Sequence, residues 1–354
     1  MNSSLVHIIP SVAIFFNALF LGILFLIVKS KNKKANNYLA IFLLLHCINI
    51  LNNFFGEFEE LFEIHFVFEP ILFVFPLLYF YLISTINIKR KIWYYFFFIP
   101  GIILNILLNS NFLLSEELLV NIEIFFYTIE ILIPILAYML LHEHNEKIRN
   151  YFSDIENKTL QWLKNIFTIN VIIHFLNLIT FCFDLSTLEN LEFLIDSTSI
   201  FLTVFMLFYI GYNGYAQHKI IFNNSLNFSN YKSKVIEEKL SLIKFNSIKK
   251  HIQSEKIYLD ENINLRAVSL IYNLNENELS RMINKFEKTN FYFFINKFRV
   301  HEFKELIKLY RHDKLTLFSV ANEAGFKNKS TFNTSFKRFE GMTPSSYLKS
   351  IENE

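Results

Sequence analysis

The chain has 354 residues, of which 53% are hydrophobic, 18% aromatic and only 19% charged, with 43 Phe against 7 Gly and a mean hydropathy of +0.31. Soluble domains carry about 25% charged residues, so the chain is too apolar for an ordinary soluble domain. Charge also divides the chain, because residues 1 to 212 hold 11 Lys+Arg against 17 Asp+Glu, net −6, while residues 213 to 354 hold 23 against 15, net +8.

The first part contains seven apolar segments: Ile8 to Val28, Tyr38 to Phe55, Phe66 to Ile86, Ile92 to Asn109, Ile122 to Leu141, Ile166 to Phe183 and Phe193 to Tyr212. Each suits a helix across a hydrocarbon core of roughly 30 Å. The second and fourth are the weakest, since Asn49, Asn52, Asn53 and Asn105 dilute them. Basic residues concentrate in cytoplasmic loops, and here they alternate without exception. Lys29, Lys31, Lys33 and Lys34 follow the first segment, Lys89, Arg90 and Lys91 the third, and Lys147, Arg149, Lys158 and Lys164 the fifth. The N-terminus and loops 56 to 65, 110 to 121 and 184 to 192 have no Lys or Arg, and the first of these loops carries Glu57, Glu59, Glu60 and Glu63. Seven spans follow, with the N-terminus outside and the C-terminus in the cytoplasm. The first segment reads as a retained anchor, because a signal peptide starts with positive charge and has a shorter apolar run.

Cys47 and Cys182 lie in apolar stretches and read as packing residues, so neither a disulfide framework nor a cysteine zinc site is expected. The glycines form no phosphate loop, and neither HExxH nor GxSxG occurs. No cofactor or metal is expected, and an enzyme is the weakest reading. Ionisable residues at membrane depth raise a functional-site hypothesis. Glu69, Glu192 and Asp196 lie toward the outer ends of their segments, and His46, Glu130 and His174 near mid-depth. His46, Glu69, Glu130, His174 and Asp196 are the candidate intramembrane sensor site, for a cation, a polar ligand or an exchangeable proton. The alternative is that neighbouring helices cap each of them, or that they snorkel to the interface.

Residues 213 to 255 form a linker in which Tyr231 to Ile252 reads as an amphipathic helix, with Val235, Ile236, Leu240, Ile243, Ile248 and Ile252 along one side. That side either makes a signalling or dimer contact or packs on its own domain.

Residues 256 to 354 are helical in pattern. Leu265 to Tyr272 is a short helix, Asn273 to Asn275 a turn, and Glu276 to Lys288 a second helix with Asn275 as N-cap and Glu278 three residues on. Phe291 to Tyr310 is a longer helix. The short pattern then recurs as Leu317 to Ala324 after Thr316, a turn at Gly325-Phe326, and Lys329 to Phe339 closed by Gly341. Leu279-Ser280-Arg281-Met282-Ile283-Asn284 lies on Phe332-Asn333-Thr334-Ser335-Phe336-Lys337, so the domain is a duplication: two helix-turn-helix units joined by one long helix. A 20-residue helix spans about 30 Å, close to the roughly 34 Å between successive major grooves.

In the second unit Phe332, Phe336 and Phe339 form the buried stripe, leaving Lys329, Ser330, Asn333, Thr334, Lys337 and Arg338 for DNA. Between Lys327 and Phe339 there are four basic residues and no acidic one. In the first unit Leu279, Met282, Ile283 and Phe286 are core, leaving Asn277, Ser280, Arg281, Asn284 and Lys285 outward. Glu276, Glu278 and Glu287 on that helix would repel phosphates, so the second unit is expected to supply more of the electrostatic affinity.

These residues resemble the AraC/XylS (arabinose-operon-regulator) family of bacterial transcription factors, across roughly Lys256 to Ser350. The resemblance is carried by Val320-Ala321-Asn322-Glu323-Ala324-Gly325-Phe326-Lys327-Asn328-Lys329-Ser330-Thr331-Phe332-Asn333, then Phe336-Lys337-Arg338 and Gly341-Met342-Thr343-Pro344-Ser345-Ser346-Tyr347. Leu279-Ser280-Arg281, Ile283-Asn284 and Arg299 add to it. Ser269 stands where the family usually has Ala and Lys288 where it often has Gly. The resemblance implies sequence-specific promoter binding and control of RNA polymerase, with a signal received by the N-terminal region.

The reading is thus an all-α chain: a seven-helix transmembrane sensor over residues 1–212, a linker over 213–255, and a double helix-turn-helix domain over 256–354. It is expected to be a multi-pass protein of the bacterial inner membrane whose partners are double-stranded DNA, RNA polymerase, the bilayer and an effector, with a homodimer if the operator is palindromic or repeated. The alternative is a membrane receptor or transporter whose cytoplasmic domain docks a protein.

Overall fold

Why so apolar a chain can form long helices follows from its composition: the helix breakers Gly and Pro number only 7 and 6, and a helix pairs the backbone groups of an apolar run within that run. The computed structural model describes residues 3–28, 30, 32–57, 68–109, 115–155, 158–182, 189–216, 235–310 and 315–352. Helix accounts for 83% and no strand occurs among the described residues, so the all-α expectation holds. Lys29, Lys31 and most of loops 56 to 65 and 184 to 192 lie outside the described residues, as do residues 110–114 and 217–234 and the side chains of Cys182, Glu192, Val235, Ile236 and Leu240.

The chain divides into two compact units, residues 1–142 with 160–220 and residues 143–159 with 221–354. The first contains α1 (Ser3–Ile27), α2 (Lys33–Glu57), α3 (Val74–Thr85), α4 (Ile99–Leu108), α5 (Glu116–Glu130), most of α6 (Leu132–Tyr151), α7 (Gln161–Cys182) and α8 (Glu189–Ala216). Among the described residues five stretches are long and apolar enough to cross a membrane: Pro10–Ile27, Lys33–Asn52, Glu117–Tyr151, Gln161–Thr180 and Phe193–Gly214.

The two shorter apolar helices are Ile71–Thr85 and Ile92–Leu108, so the weak members are the third and fourth segments rather than the second and fourth. The reason is proline rather than asparagine. Pro70 precedes a 3₁₀ turn at Ile71–Phe73, and the fourth segment begins as 3₁₀ over Ile92–Phe98 before Pro100 opens α4. In α2, by contrast, the Asn52 amide donates to the Phe68 carbonyl, which removes the cost of an unpaired amide. The fifth segment is likewise interrupted, at Ile131 between α5 and α6, because the ring of Pro134 clashes with the carbonyl four residues before it, that of Glu130. Cys47 is buried, with its thiol 3.5 Å from the Phe15 carbonyl, as a packing residue should be.

The second unit contains α9 (Val235–Ser254), α10 (Leu265–Ile271), α11 (Glu276–Phe286), α12 (Phe291–Leu309), α13 (Leu317–Glu323), α14 (Lys329–Glu340) and α15 (Pro344–Glu352). α12 serves two separate cores. Its N-terminal half gives Phe291, Phe294 and Ile295 to one around α9, α10 and α11, and its C-terminal half gives Val300, Phe303 and Ile307 to another around α13 and α14. At 1.5 Å per residue its 19 residues span about 28 Å.

α9 packs on its own domain, through Phe245, Ile248 and Ile252. Ile243, expected on the same side, is 64% exposed. The buried face follows Phe245, whose ring lies 5.4 Å from that of Phe286 and 5.8 Å from that of Phe294.

Candidate nucleic-acid interface

α10, α11, α13 and α14 each start on a side-chain cap, which satisfies backbone donors that a helix cannot pair itself. Asn264 accepts from the Ala267 N–H at 3.0 Å, Asn275 from Asn277 at 2.8 Å, Thr316 from Ser319 at 3.1 Å, and Asn328 from Thr331 at 2.8 Å. Glu278 does not complete a capping box at Asn275. It accepts from Lys244 of α9 at 3.1 Å instead.

In α14, Phe332 and Phe336 are buried and Phe339 is partly buried, as expected. Lys329, Ser330, Asn333, Thr334, Lys337 and Arg338 are exposed. Among the described residues Lys329 and Lys337 make no ion pair, so their charge is available to a polyanion. Arg338 stacks its guanidinium 3.8 Å from the Phe293 ring centroid. Lys327 is held by Asn262 at 2.8 Å and lies 3.8 Å from Glu261.

In α11, Arg281, Asn284 and Lys285 are exposed and Asn277 is half-buried. Ser280, expected to point outward, is buried at 3% exposure. α9 packs against α11 and covers a second side of it, which α14 leaves open. The three carboxylates on and beside α11 are also not free to repel phosphate. Glu276 lies 3.9 Å from Arg266, Glu278 pairs with Lys244, and Glu287 pairs with Lys249 and, at 3.6 Å, Lys297. No pattern in the local sequence pairs these groups, which come from neighbouring helices.

The two family departures have local explanations. Ser269 is buried, but its hydroxyl donates to the Arg266 carbonyl at 2.8 Å, so the position tolerates Ser in place of Ala. Lys288 sits at φ +53°, left-handed backbone that glycine adopts without a Cβ penalty.

Between the two helix pairs lies Arg299, fully buried on α12. Its Nε donates to the Tyr258 carbonyl at 2.7 Å and its terminal nitrogens to the Asp260 carbonyl at 2.8 Å, Asn296 Oδ1 at 3.0 Å and Ser153 Oγ at 3.3 Å. Burial pushes the guanidinium down to about 10, with the nearby Asp154 and Asp260 charges acting the other way, so it remains charged at pH 7. Gly325 approaches the same backbone. It has φ +93°, and a Cβ there would lie 2.7 Å from the Tyr258 carbonyl oxygen.

In the first unit, His46, His174 and Asp196 line one cavity of about 520 Å³ together with Asn49, Asn170 and Asn177. Glu69 and Glu130 are not among its lining residues. Glu69 accepts from the Ile71 N–H at 3.2 Å, and Glu130 is buried with neither carboxylate oxygen hydrogen-bonded among the described residues. His174 Nε2 lies 2.9 Å from the Tyr127 carbonyl, whereas His46 Nε2 is buried without a hydrogen-bond partner among the described residues. Asn49, which looked like mere dilution of an apolar run, lines the cavity.

A protein-family model described as a helix-turn-helix domain, HTH_18, matches residues 269–350. The match supports an AraC-type DNA-binding regulator. Comparison with curated proteins and with solved structures finds no match.

Proposed function

We propose that this protein is a membrane-embedded one-component transcription regulator, in which seven spans sense a signal and two helix-turn-helix units read promoter DNA at the cytoplasmic face. The observation that carries it is the exposed, acid-free face of α14, with Lys329 and Lys337 unpaired among the described residues, on a helix-turn-helix domain. Lysines there supply sequence-independent phosphate affinity, and Ser330, Asn333 and Thr334 supply donors and acceptors for base edges. The first pair, with Asn277, Arg281, Asn284 and Lys285 and its carboxylates neutralised, reads a second groove.

The membrane placement rests on the five long apolar stretches and on outer faces such as Phe16, Phe20, Phe201 and Phe208, each more than 60% exposed. Such a surface is stable in lipid and a liability in water. The basic loops place the N-terminus outside. The cavity holding His46, His174 and Asp196 is the sensor site for an effector, and RNA polymerase is the downstream partner. An effector acts by binding two arrangements of the protein with different affinity.

Genome-wide immunoprecipitation of the full-length protein tests this beside a Lys329→Ala, Asn333→Ala, Lys337→Ala variant, with expression and insertion verified for both. Discrete peaks lost in the variant support the reading. Peaks absent from an inserted protein under several growth conditions move it to a receptor that docks a protein.

A further inference from the structure

The second compact unit includes residues 143–159, the C-terminal turns of α6 and the loop that leads on toward α7, which precede the rest of the unit by about 60 residues. Four consecutive residues of this segment dock into the DNA-binding domain. Tyr151 belongs to the core of Phe245, Ile248, Leu265 and Phe291. Phe152 forms an antiparallel bridge with Asn264, the N-cap of α10. Ser153, 1% exposed, donates through Oγ to the Ile263 carbonyl at 2.7 Å, accepts there from Arg299 at 3.3 Å, and accepts through its carbonyl from Asn296 at 3.0 Å. Asp154, 7% exposed, accepts on Oδ1 from Asn328 Nδ2 at 2.6 Å and Thr331 Oγ1 at 3.3 Å, and on Oδ2 from Lys158 at 3.1 Å.

The contacts form a sequence across the domain: the first helix pair through Tyr151 and Phe152, the joining helix α12 through Ser153, and the first turn of α14 through Asp154. A segment that only rested on the surface would leave its polar groups to water. Here Asn296 and Arg299 are both fully buried and use the segment as a hydrogen-bond partner. Buried polar groups need partners, so removing the segment would oblige both to find others.

We propose that residues 151–154 are an intramolecular clasp that sets the placement of the two recognition helices relative to each other, with Ser153 and Asp154 as positioning residues for DNA binding. The clasp connects by both ends to α6 and α7, two of the five apolar stretches. A signal in the membrane segment therefore reaches the DNA-binding domain through α6, the clasp and α7, and not only through residues 213–255. The proposal rests on the DNA-binding reading.

The test uses full-length protein in native membranes. Phe152→Cys with Asn264→Cys should cross-link within one chain on mild oxidation, because paired residues of an antiparallel bridge lie about 4.5–5.5 Å apart at Cα, within disulfide reach. Failure to cross-link overturns the clasp. On a promoter fragment recovered with wild-type protein, Asp154→Ala should lower occupancy by about tenfold, the value of one buried charged hydrogen-bond partner. It should also blunt discrimination against fragments whose half-sites are moved apart by one base pair. Asp154→Asn keeps the accepting oxygen and should restore both properties. If Ala and Asn act alike, either raising occupancy or leaving it unchanged, Asp154 works only as a charge or not at all and the proposal fails. Equal losses at native and altered spacing would assign Asp154 to stability alone and overturn the positioning role. Recovery of no fragment by the wild type would overturn the DNA-binding reading, and this inference with it, whatever the cross-link yields.

Discussion

Asn328 faces two ways at the start of α14, its Oδ1 capping the Thr331 N–H at 2.8 Å and its Nδ2 donating to the Asp154 carboxylate at 2.6 Å. One side chain thus joins the first turn of α14 to a residue 174 positions earlier. As helix caps Asn and Asp are nearly equal, but here Asp would lose the donor and set a second carboxylate against Asp154. Asn328→Asp should therefore destabilise the second unit by about 1–2 kcal/mol, where a capping argument alone gives no change. Hydrogen exchange of the α14 amides in the full-length protein measures it.

Lys329 and Lys337 should contribute counterion release and little sequence preference. Each Lys→Ala change should reduce the slope of log affinity against log salt by about one, uniformly across DNA sequences. Asn333→Ala should instead narrow the gap between specific and nonspecific DNA by about 1–3 kcal/mol with the slope preserved. Anisotropy titrations at several salt concentrations separate the two effects.

Three left-handed positions predict three different outcomes. Gly325→Ala combines φ +93° with a Cβ that would lie 2.7 Å from the Tyr258 oxygen, so a loss above about 2 kcal/mol is expected. Gly341→Ala, at φ +73° with nothing within 4 Å of the added carbon, should cost only about 1 kcal/mol. Lys288→Gly, at φ +53°, should gain a few tenths up to about 1 kcal/mol. Chemical denaturation followed by a probe in the second unit ranks them.

Arg299→Lys should not be conservative. The guanidinium serves four acceptors on three segments, and an ammonium cannot reach them from one position. A loss of about 3 kcal/mol is expected, seen as faster proteolysis of residues 256–354 in the full-length protein.

Glu302 provides a pH test. Burial raises its carboxyl, but hydrogen bonds from Lys256 and Tyr258, with the Lys256 charge, outweigh burial and hold it below the usual carboxylate range. A depressed folded-state value adds stability above the unfolded pKa of about 4.3, lost as pH falls through the folded value. Glu302→Gln should therefore lower stability at pH 7 and flatten its dependence below about pH 4.5, read from unfolding midpoints across pH 3 to 7.

Local rules carried much of this molecule. Periodicity and caps place α10 to α14 almost to the residue, because Asn275, Thr316 and Gly341 act within one helical turn of where they stand. The exposed face of α14 follows from the spacing of Phe332, Phe336 and Phe339, and the apolar stretches follow from composition alone. What local rules missed was partner identity. The buried Ser280, the paired Glu278 and Glu287 and the outward Ile243 depend on how α9 lies against α11, and the pairing of Glu276 depends on Arg266 of α10; amphipathic spacing does not name the neighbour. The separation of Glu69 and Glu130 from the cavity of His46, His174 and Asp196 is likewise a matter of helix rotation, which mean apolarity leaves undetermined. The docking of Ser153 and Asp154 spans 110 to 177 positions of chain. In the sequence they are two small polar residues in a basic loop. Hydrogen bonds and charge pairs act over about 3 Å in space, so only the tertiary structure decides which distant residues they join.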